Sequence, residues 1–127
     1  MGGSMERVFF ILGAVLAGMG VAAGAFGAHA LRGRLTPELL GVFETGVRYH
    51  LIHALGLLAV AWATTRWPGT ATSAAGWLFL AGILLFSGSL YGLSLSGLRT
   101  LGAITPIGGV AWIVGWLVLG WGVWQGR

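Results

Sequence analysis

The stretch Thr36–Arg66, TPELLGVFETGVRYHLIHALGLLAVAWATTR, decides how this chain folds, because it joins most of the ionisable chemistry to a run of membrane-grade hydrophobicity. It opens as a helix opens: Thr36 can cap, Pro37 suits the first helical position, and Glu38 sits where the helix dipole favours an acid. No further breaker occurs before Pro68. An uninterrupted helix of about 30 residues is roughly 45 Å long, more than a bilayer's hydrocarbon needs, so its first two turns are expected among the headgroups. Glu44 and Arg48 are one turn apart with the acid first, the favourable order for an interfacial ion pair. His50 and His53 lie roughly on the other side with Gly46 and Tyr49, which predicts an imidazole-bearing face turned toward other protein.

Composition makes the rest of the chain consistent with that helix. Of 127 residues, 57% are hydrophobic and 8% charged, 24 are Gly and none is Cys. Such a chain belongs in a membrane. Four apolar runs of about 20 residues leave no room for a soluble domain. The formal charge of +4 comes from Arg residues that flank the runs instead of forming a solvated basic surface, which argues against a nucleic-acid partner. Without Cys there are no disulfides, no thiolate metal sites and no thiol redox chemistry.

Residues 1–4 read as the remnant of an expression tag, with Met5 as the natural start, and 5–127 as one domain. Spans are expected at about 8–31, 37–66, 74–96 and 106–125. Ala28-His29-Ala30 has the form of a signal-peptidase site, but the apolar run before it is longer than a signal peptide's core. The first, third and fourth spans carry stripes of small residues: Gly20 and Gly24, Gly88 and Gly92, Gly108 and Gly115. These let neighbouring backbones approach, which is how helices gain contacts in a solvent as apolar as their own side chains. Thr105-Pro106 repeats the start signal of Thr36-Pro37. The expected fold is therefore an all-α membrane protein, a bundle of four transmembrane helices with small-residue interfaces.

Four spans put both termini and the Pro68 turn on one side. Trp62, Trp67, Trp77, Trp121 and Trp124 fall near that side as an aromatic belt. The other boundary is polar. There His53 reaches inward past the last charge of its helix, Ser89 and Tyr91 approach from the third span, Thr105 from the start of the fourth, and His29 from the first. These five residues form the candidate polar layer. Arg residues divide almost evenly between the two sides, so the positive-inside rule has little bias to use.

Three chemistries compete with a purely structural role for the histidines. A metal or haem held by His29, His50 and His53 would want oriented second-shell acceptors, yet there is no Asp and all three Glu lie outside the apolar cores. Ser87-Gly88-Ser89 with a distant histidine is a weak signal for intramembrane hydrolysis, since membrane helices are rich in Ser and Gly. Proton-coupled efflux wants a carboxylate at mid-membrane, and no span centre has one. No catalytic residue, metal site or cofactor is assigned on these grounds.

Four segments in order, GAFGAHAL (Gly24–Leu31), TGVRYHLIHAL (Thr45–Leu55), FSGSLYGL (Phe86–Leu93) and ITPIGGVAWIVGW (Ile104–Trp116), carry a family likeness. Across essentially Met5 to Trp124 the chain resembles the family of small four-span membrane proteins typified by the bacterial YgdD and YwdK proteins, a domain of unknown function with short eukaryotic relatives. The resemblance implies an integral inner-membrane bundle and supplies no reaction. His29 and His53 fit the family pattern, whereas relatives often carry Gln where this chain has His50. That favours the layer of His29, His53, Ser89, Tyr91 and Thr105 over a two-histidine ligand motif. The expected function is non-enzymatic, a polar pocket near one interface of a multi-pass cell-membrane protein. The pocket would take a small or lipid-like ligand or a membrane-protein partner, a second copy of the chain included. The alternative is a small-solute transporter or channel, and an intramembrane enzyme comes third. A path through the bundle would favour transport; a pocket closed at the tryptophan side would favour binding.

Overall fold

Helix α2, Pro37–Arg66, starts where the Thr36 hydroxyl accepts a hydrogen bond from the Leu39 amide at 3.2 Å, with proline in the first turn. It ends as the Trp67 amide makes a last bond to the Ala63 carbonyl at 2.8 Å ahead of Pro68. The computed structural model describes residues 2–126; Met1, which falls in the expected tag remnant, and Arg127 lie outside the described residues.

Helix α1, Gly2–Phe26, closes in a wider π turn, Gly27–Leu31. After the Pro68 turn, α3, Thr70–Gly82, passes through a second π turn, Ile83–Ser87, into α4, Gly88–Ser96. Gly97 stops α4 in the left-handed conformation (φ 77°), a geometry that costs glycine nothing, and its amide caps the Leu93 carbonyl at 2.7 Å. A short 3-10 turn, Arg99–Ala103, leads into α5, Thr105–Gln125.

The protein is all-helical. Three stretches among the described residues are long and apolar enough to cross a membrane: Gly3–Leu31, Thr70–Ser96 and Arg99–Gln125. Four spans were expected; α2 is not among these three stretches and is a fourth helix of different character. Twelve of its 30 residues are buried, against four of 21 in α5. A helix shielded by its neighbours can carry imidazoles and hydroxyls, since protein groups and not lipid meet them.

Helix α1 packs along one side of α2, and α3 and α4 pack along another; α5 lies against α3 and the second π turn. The main core, Phe9, Leu57, Val60, Ala75, Phe79 and Trp112, joins α1, α2, α3 and α5. A smaller cluster, Leu31, Phe43 and Val47, sits at the opposite end. The chain ends and the Pro68 turn gather at one end of the bundle: Gly126 abuts Trp67, and Ser4, Met5, Pro68 and Thr70 line a common hollow.

The small-residue stripes divide into contacts and non-contacts. A methyl group on Gly20 would stand 2.5 Å from Leu51, and one on Gly24 would stand 3.3 Å from Val47, so the α1 stripe is the α1–α2 seam. A methyl group on Gly115 would stand 2.9 Å from Phe79, and one on Gly108 would run into the backbone of Phe86. A methyl group on Gly92 would meet only the end of the Leu101 side chain, at 3.0 Å. Gly88 is exposed and has no neighbouring helix within reach, so the expectation that it packs a helix seam is corrected. A regular α-helix through Ile83–Ser87 would align Gly88 with Ala81 and Gly92, but the π turn rotates the helix beyond it.

Candidate functional site

His53 and His50 are both buried on α2, and each spends both ring nitrogens. The Nε2 of His53 accepts from the Trp116 indole N–H at 3.0 Å, so Nδ1 carries the proton and donates to the Tyr49 carbonyl at 2.8 Å. One face of the ring lies flat on Trp112, with centroids 3.9 Å apart and planes within 3°, while Phe79 meets it edge-on at 5.4 Å. Trp112 is itself held, its indole N–H donating to the Phe79 carbonyl at 3.0 Å. The imidazole is therefore fixed in position, tautomer and tilt.

His50 faces the other way and takes the other tautomer. Its Nε2–H donates to the Leu16 carbonyl of α1 at 2.7 Å, and its Nδ1 accepts from the Tyr91 hydroxyl of α4 at 2.8 Å. One side chain thus ties three helices. The approach to Leu16 passes beside Gly20, where a methyl group would press within 3.4 Å of the ring.

The expected five-residue layer is distributed over separate places. Ser89 and Thr105 meet, hydroxyl to hydroxyl, at 2.6 Å, closing α4 onto the start of α5. Tyr91 belongs to His50, and His53 belongs to Trp112 and Trp116. His29 is exposed on the π turn that ends α1. That turn, one residue wider than an α-helical one, changes the angle at which a residue two places further on points, which the helical wheel could not anticipate. A further buried hydroxyl, Ser87, donates to the Gly46 carbonyl at 2.7 Å and binds α2 to the second π turn.

The interfacial ion pair also differs from expectation. Among the described residues the pair that forms is Arg99 with Glu38, at 3.7 Å and well exposed, while Glu44 and Arg48 both point outward without joining. Nor do three potential metal donors of the His, Asp and Glu types cluster anywhere among the described residues.

Trp112 and Trp116 were missed by the sequence reading, which placed its tryptophans at one boundary. The signal was present: two indoles one turn apart in the middle of a span, away from either belt, whose N–H groups need partners when buried.

The backbones of α2 and α5 do not pack closely, and aromatic side chains bridge the interval. They leave a groove of about 460 Å³ walled by Thr45, Tyr49, His53, Phe86, Trp112 and Trp116, open at its flank. On the far side of α2, His50 and Tyr91 border a second hollow of about 390 Å³ together with Met19 and Phe26. A hollow of about 500 Å³ beside Pro68 involves neither histidine.

Comparison with known proteins places this architecture. Residues 23–109 match the family model described as protein of unknown function (DUF423). The protein YwdK of Bacillus subtilis, named a UPF0382 membrane protein, is 52% identical over 114 residues, covering 89% of this chain and 93% of its own length. UPF0382 membrane proteins of Staphylococcus epidermidis and Staphylococcus saprophyticus are each 50% identical, over 116 and 113 residues, and cover 89% of this chain with 92% and 93% of theirs. No solved structure matches. Similarity at this level, along nearly the whole of both chains, means that the chain belongs to the DUF423 (UPF0382) family of membrane proteins of unknown function.

Proposed function

We propose that this protein crosses the bacterial cell membrane four times, with both termini on one side, and that it is a non-enzymatic binding protein. The groove between α2 and α5 holds a small or lipid-like ligand. The observation that carries this reading is the state of His53: both nitrogens engaged, ring stacked flat on Trp112, and one edge on the groove. An imidazole so fixed acts as a rigid aromatic wall and not as a free proton carrier. Pockets of this size with mostly apolar linings and a few placed polar groups are what small-molecule sites look like.

Transport is less well supported, because the Phe9, Leu57, Val60 and Phe79 core fills the bundle toward the tryptophan-rich end and leaves the groove a side pocket. Hydrolysis has less support still: Ser87 is committed to a backbone carbonyl and Ser89 to Thr105, so neither serine is paired with a histidine base.

Gly109 lines the groove, and a methyl group there would make only ordinary contact with Phe86, at 3.7 Å. Gly109→Leu therefore fills the groove without disturbing a helix seam. Native mass spectrometry of protein extracted in mild detergent should show a co-purifying small molecule or lipid on the wild type that is missing from Gly109→Leu. Equal ligand on the two proteins, or none on either, overturns the reading; solute flux through proteoliposomes would replace it with transport.

A further inference from the structure

We propose that the ligand of the α2–α5 groove is an uncharged amphiphile, an apolar body ending in a hydroxyl or carbonyl oxygen, and that the Tyr49 hydroxyl receives this oxygen. This rests on the groove being a binding site, and it adds the ligand's chemistry and the residue that selects it.

The polar side-chain atoms of the lining can be accounted for one by one. Both ring nitrogens of His53 are engaged, with the Tyr49 carbonyl and the Trp116 indole N–H. The Trp112 indole N–H goes to the Phe79 carbonyl. The Thr45 hydroxyl donates back along its own helix to the Gly41 carbonyl at 2.9 Å. That leaves the Tyr49 hydroxyl. The Tyr49 ring is held, edge-on to Phe86 with centroids 5.3 Å apart and within 21° of parallel to Trp112, while its O–H makes no hydrogen bond to any described residue. A tyrosine placed in this way gives its ring to packing and keeps its hydroxyl for whatever lies beside it.

The walls carry no charge. Arg32, Arg34, Arg48 and Arg99, like Glu38 and Glu44, all lie outside the lining. An ion drawn into this slot would exchange its hydration for aromatic walls and one hydroxyl, with no opposite charge to meet it. An uncharged oxygen needs only a hydrogen bond, which Tyr49 supplies. The layout also sets the ligand's direction. Thr45, Tyr49 and His53 follow one another at four-residue intervals along α2, so the slot extends for about two helical turns, roughly 12 Å. Thr45 and Tyr49 stand toward the start of α2, and the rings of His53, Trp112 and Trp116 continue inward from them. The oxygen therefore sits at Tyr49 and the apolar body runs along the two tryptophans.

The experiment uses the full-length protein, stripped of lipid by detergent exchange and held at about pH 8, where a carboxylate is ionised. It is offered hexadecanol, hexadecane and hexadecanoate, one chain with a hydroxyl, no head and a charged head, and in a separate arm a decyl-substituted benzoquinone, whose oxygens are ring carbonyls. Bound probe is counted by native mass spectrometry. The wild type should retain hexadecanol over hexadecane by about five-fold, the scale of one neutral hydrogen bond, and over hexadecanoate by at least as much. Tyr49→Phe keeps the ring and removes only the O–H, so it should lose the preference for hexadecanol while holding hexadecane as the wild type does. Retention of hexadecanol above the benzoquinone supports a lipid alcohol such as diacylglycerol as the source, and the reverse supports a ring carbonyl. Thermal melting in detergent checks that the variants are folded; were Tyr49→Phe to fail, the preferences of the wild type still decide. Wild-type protein that retains no more of any probe than Gly109→Leu overturns the groove reading itself. Retention that Gly109→Leu abolishes, but with hexadecanoate favoured or hexadecane held as well as both oxygen-bearing probes, overturns the uncharged amphiphile and leaves the groove standing. A preference for the oxygen that survives Tyr49→Phe overturns the role of Tyr49.

Discussion

His50 and His53 are three residues apart on one helix, and their surroundings set opposite tautomers: protonated on Nε2 in His50, on Nδ1 in His53. The difference forecasts how each position tolerates change. His50 needs one donor and one acceptor, and a glutamine amide supplies both, its NH₂ toward the Leu16 carbonyl and its oxygen toward the Tyr91 hydroxyl. His50→Gln should therefore cost less than about 1 kcal/mol, while His50→Ala, which strands the Tyr91 hydroxyl and the Leu16 carbonyl contact, should cost about 2 kcal/mol. Reversible unfolding in mixed micelles would compare them, and equal losses would refute the three-helix tie. At His53 glutamine can restore hydrogen bonds but not the stack on Trp112. His53→Ala should cost about 3 kcal/mol from the lost stack, the new cavity and the unpaired indole. A double-mutant cycle with Trp116→Phe should reveal a coupling of about 1 kcal/mol. Sequence reading found that the histidines of α2 turn toward other protein. It did not find the partners, because the depth of a residue along its span says nothing about which side of the helix each neighbour occupies.

At the scale of elements, much of the fold was legible. Helix starts were announced by Thr36-Pro37 and Thr105-Pro106, the α2 end by Pro68, and the α1–α2 seam by Gly20 and Gly24. The two π turns were not legible, since nothing in GAHAL or ILLFS departs from an ordinary apolar helix. They account for the two largest misplacements, His29 on the first turn itself and Gly88 just after the second. The glycines supply a sharp test of this geometry. A methyl group on Gly82 would collide with the Trp112 indole, and one on Gly108 with the Phe86 backbone. Gly108→Ala should destabilise by about 2 kcal/mol, because backbone cannot yield as a side-chain tip can, and Gly82→Ala by a similar amount through displacement of Trp112. Gly88→Ala should be neutral or slightly stabilising, since it removes a helix glycine from open space at a gain of up to about 1 kcal/mol. Melting temperatures in detergent that rank Gly88→Ala with Gly108→Ala would mean that the helix after Ser87 keeps its α register. Charge at the helix ends matters less. With both side chains of the Glu38–Arg99 pair mostly exposed, replacing either should leave melting unchanged within about 0.5 kcal/mol.

At the scale of the whole molecule, the proposed topology has α2 cross the bilayer although its hydropathy alone does not require it. Packing argues that it does. Helix α2 lies between α1 and the α3–α4 pair, and its His50 side chain holds both neighbours at mid-length, which supports the proposed crossing over a place on the membrane surface. The polar residues that lower its hydropathy are paired inside protein, or are exposed in its first half and its last turn. With four crossings, the Pro68 turn and the C-terminal end fall on one side of the membrane, and the turns at Arg34 and Thr100 fall on the other. The absence of native cysteine makes the test direct. Single variants Arg34→Cys, Thr70→Cys, Thr100→Cys and Gln125→Cys, at positions exposed in the structure, are treated in sealed inverted vesicles with a membrane-impermeant maleimide, before and after permeabilisation. Thr70→Cys and Gln125→Cys should label together, and Arg34→Cys and Thr100→Cys together in the opposite condition. A protein in which α2 stayed on one face would give a different grouping, with Arg34→Cys and Thr70→Cys labelled from the same side. Labelling of all four positions from both sides would instead reveal two opposite insertions of one bundle, which the near-even distribution of Arg between the two ends permits.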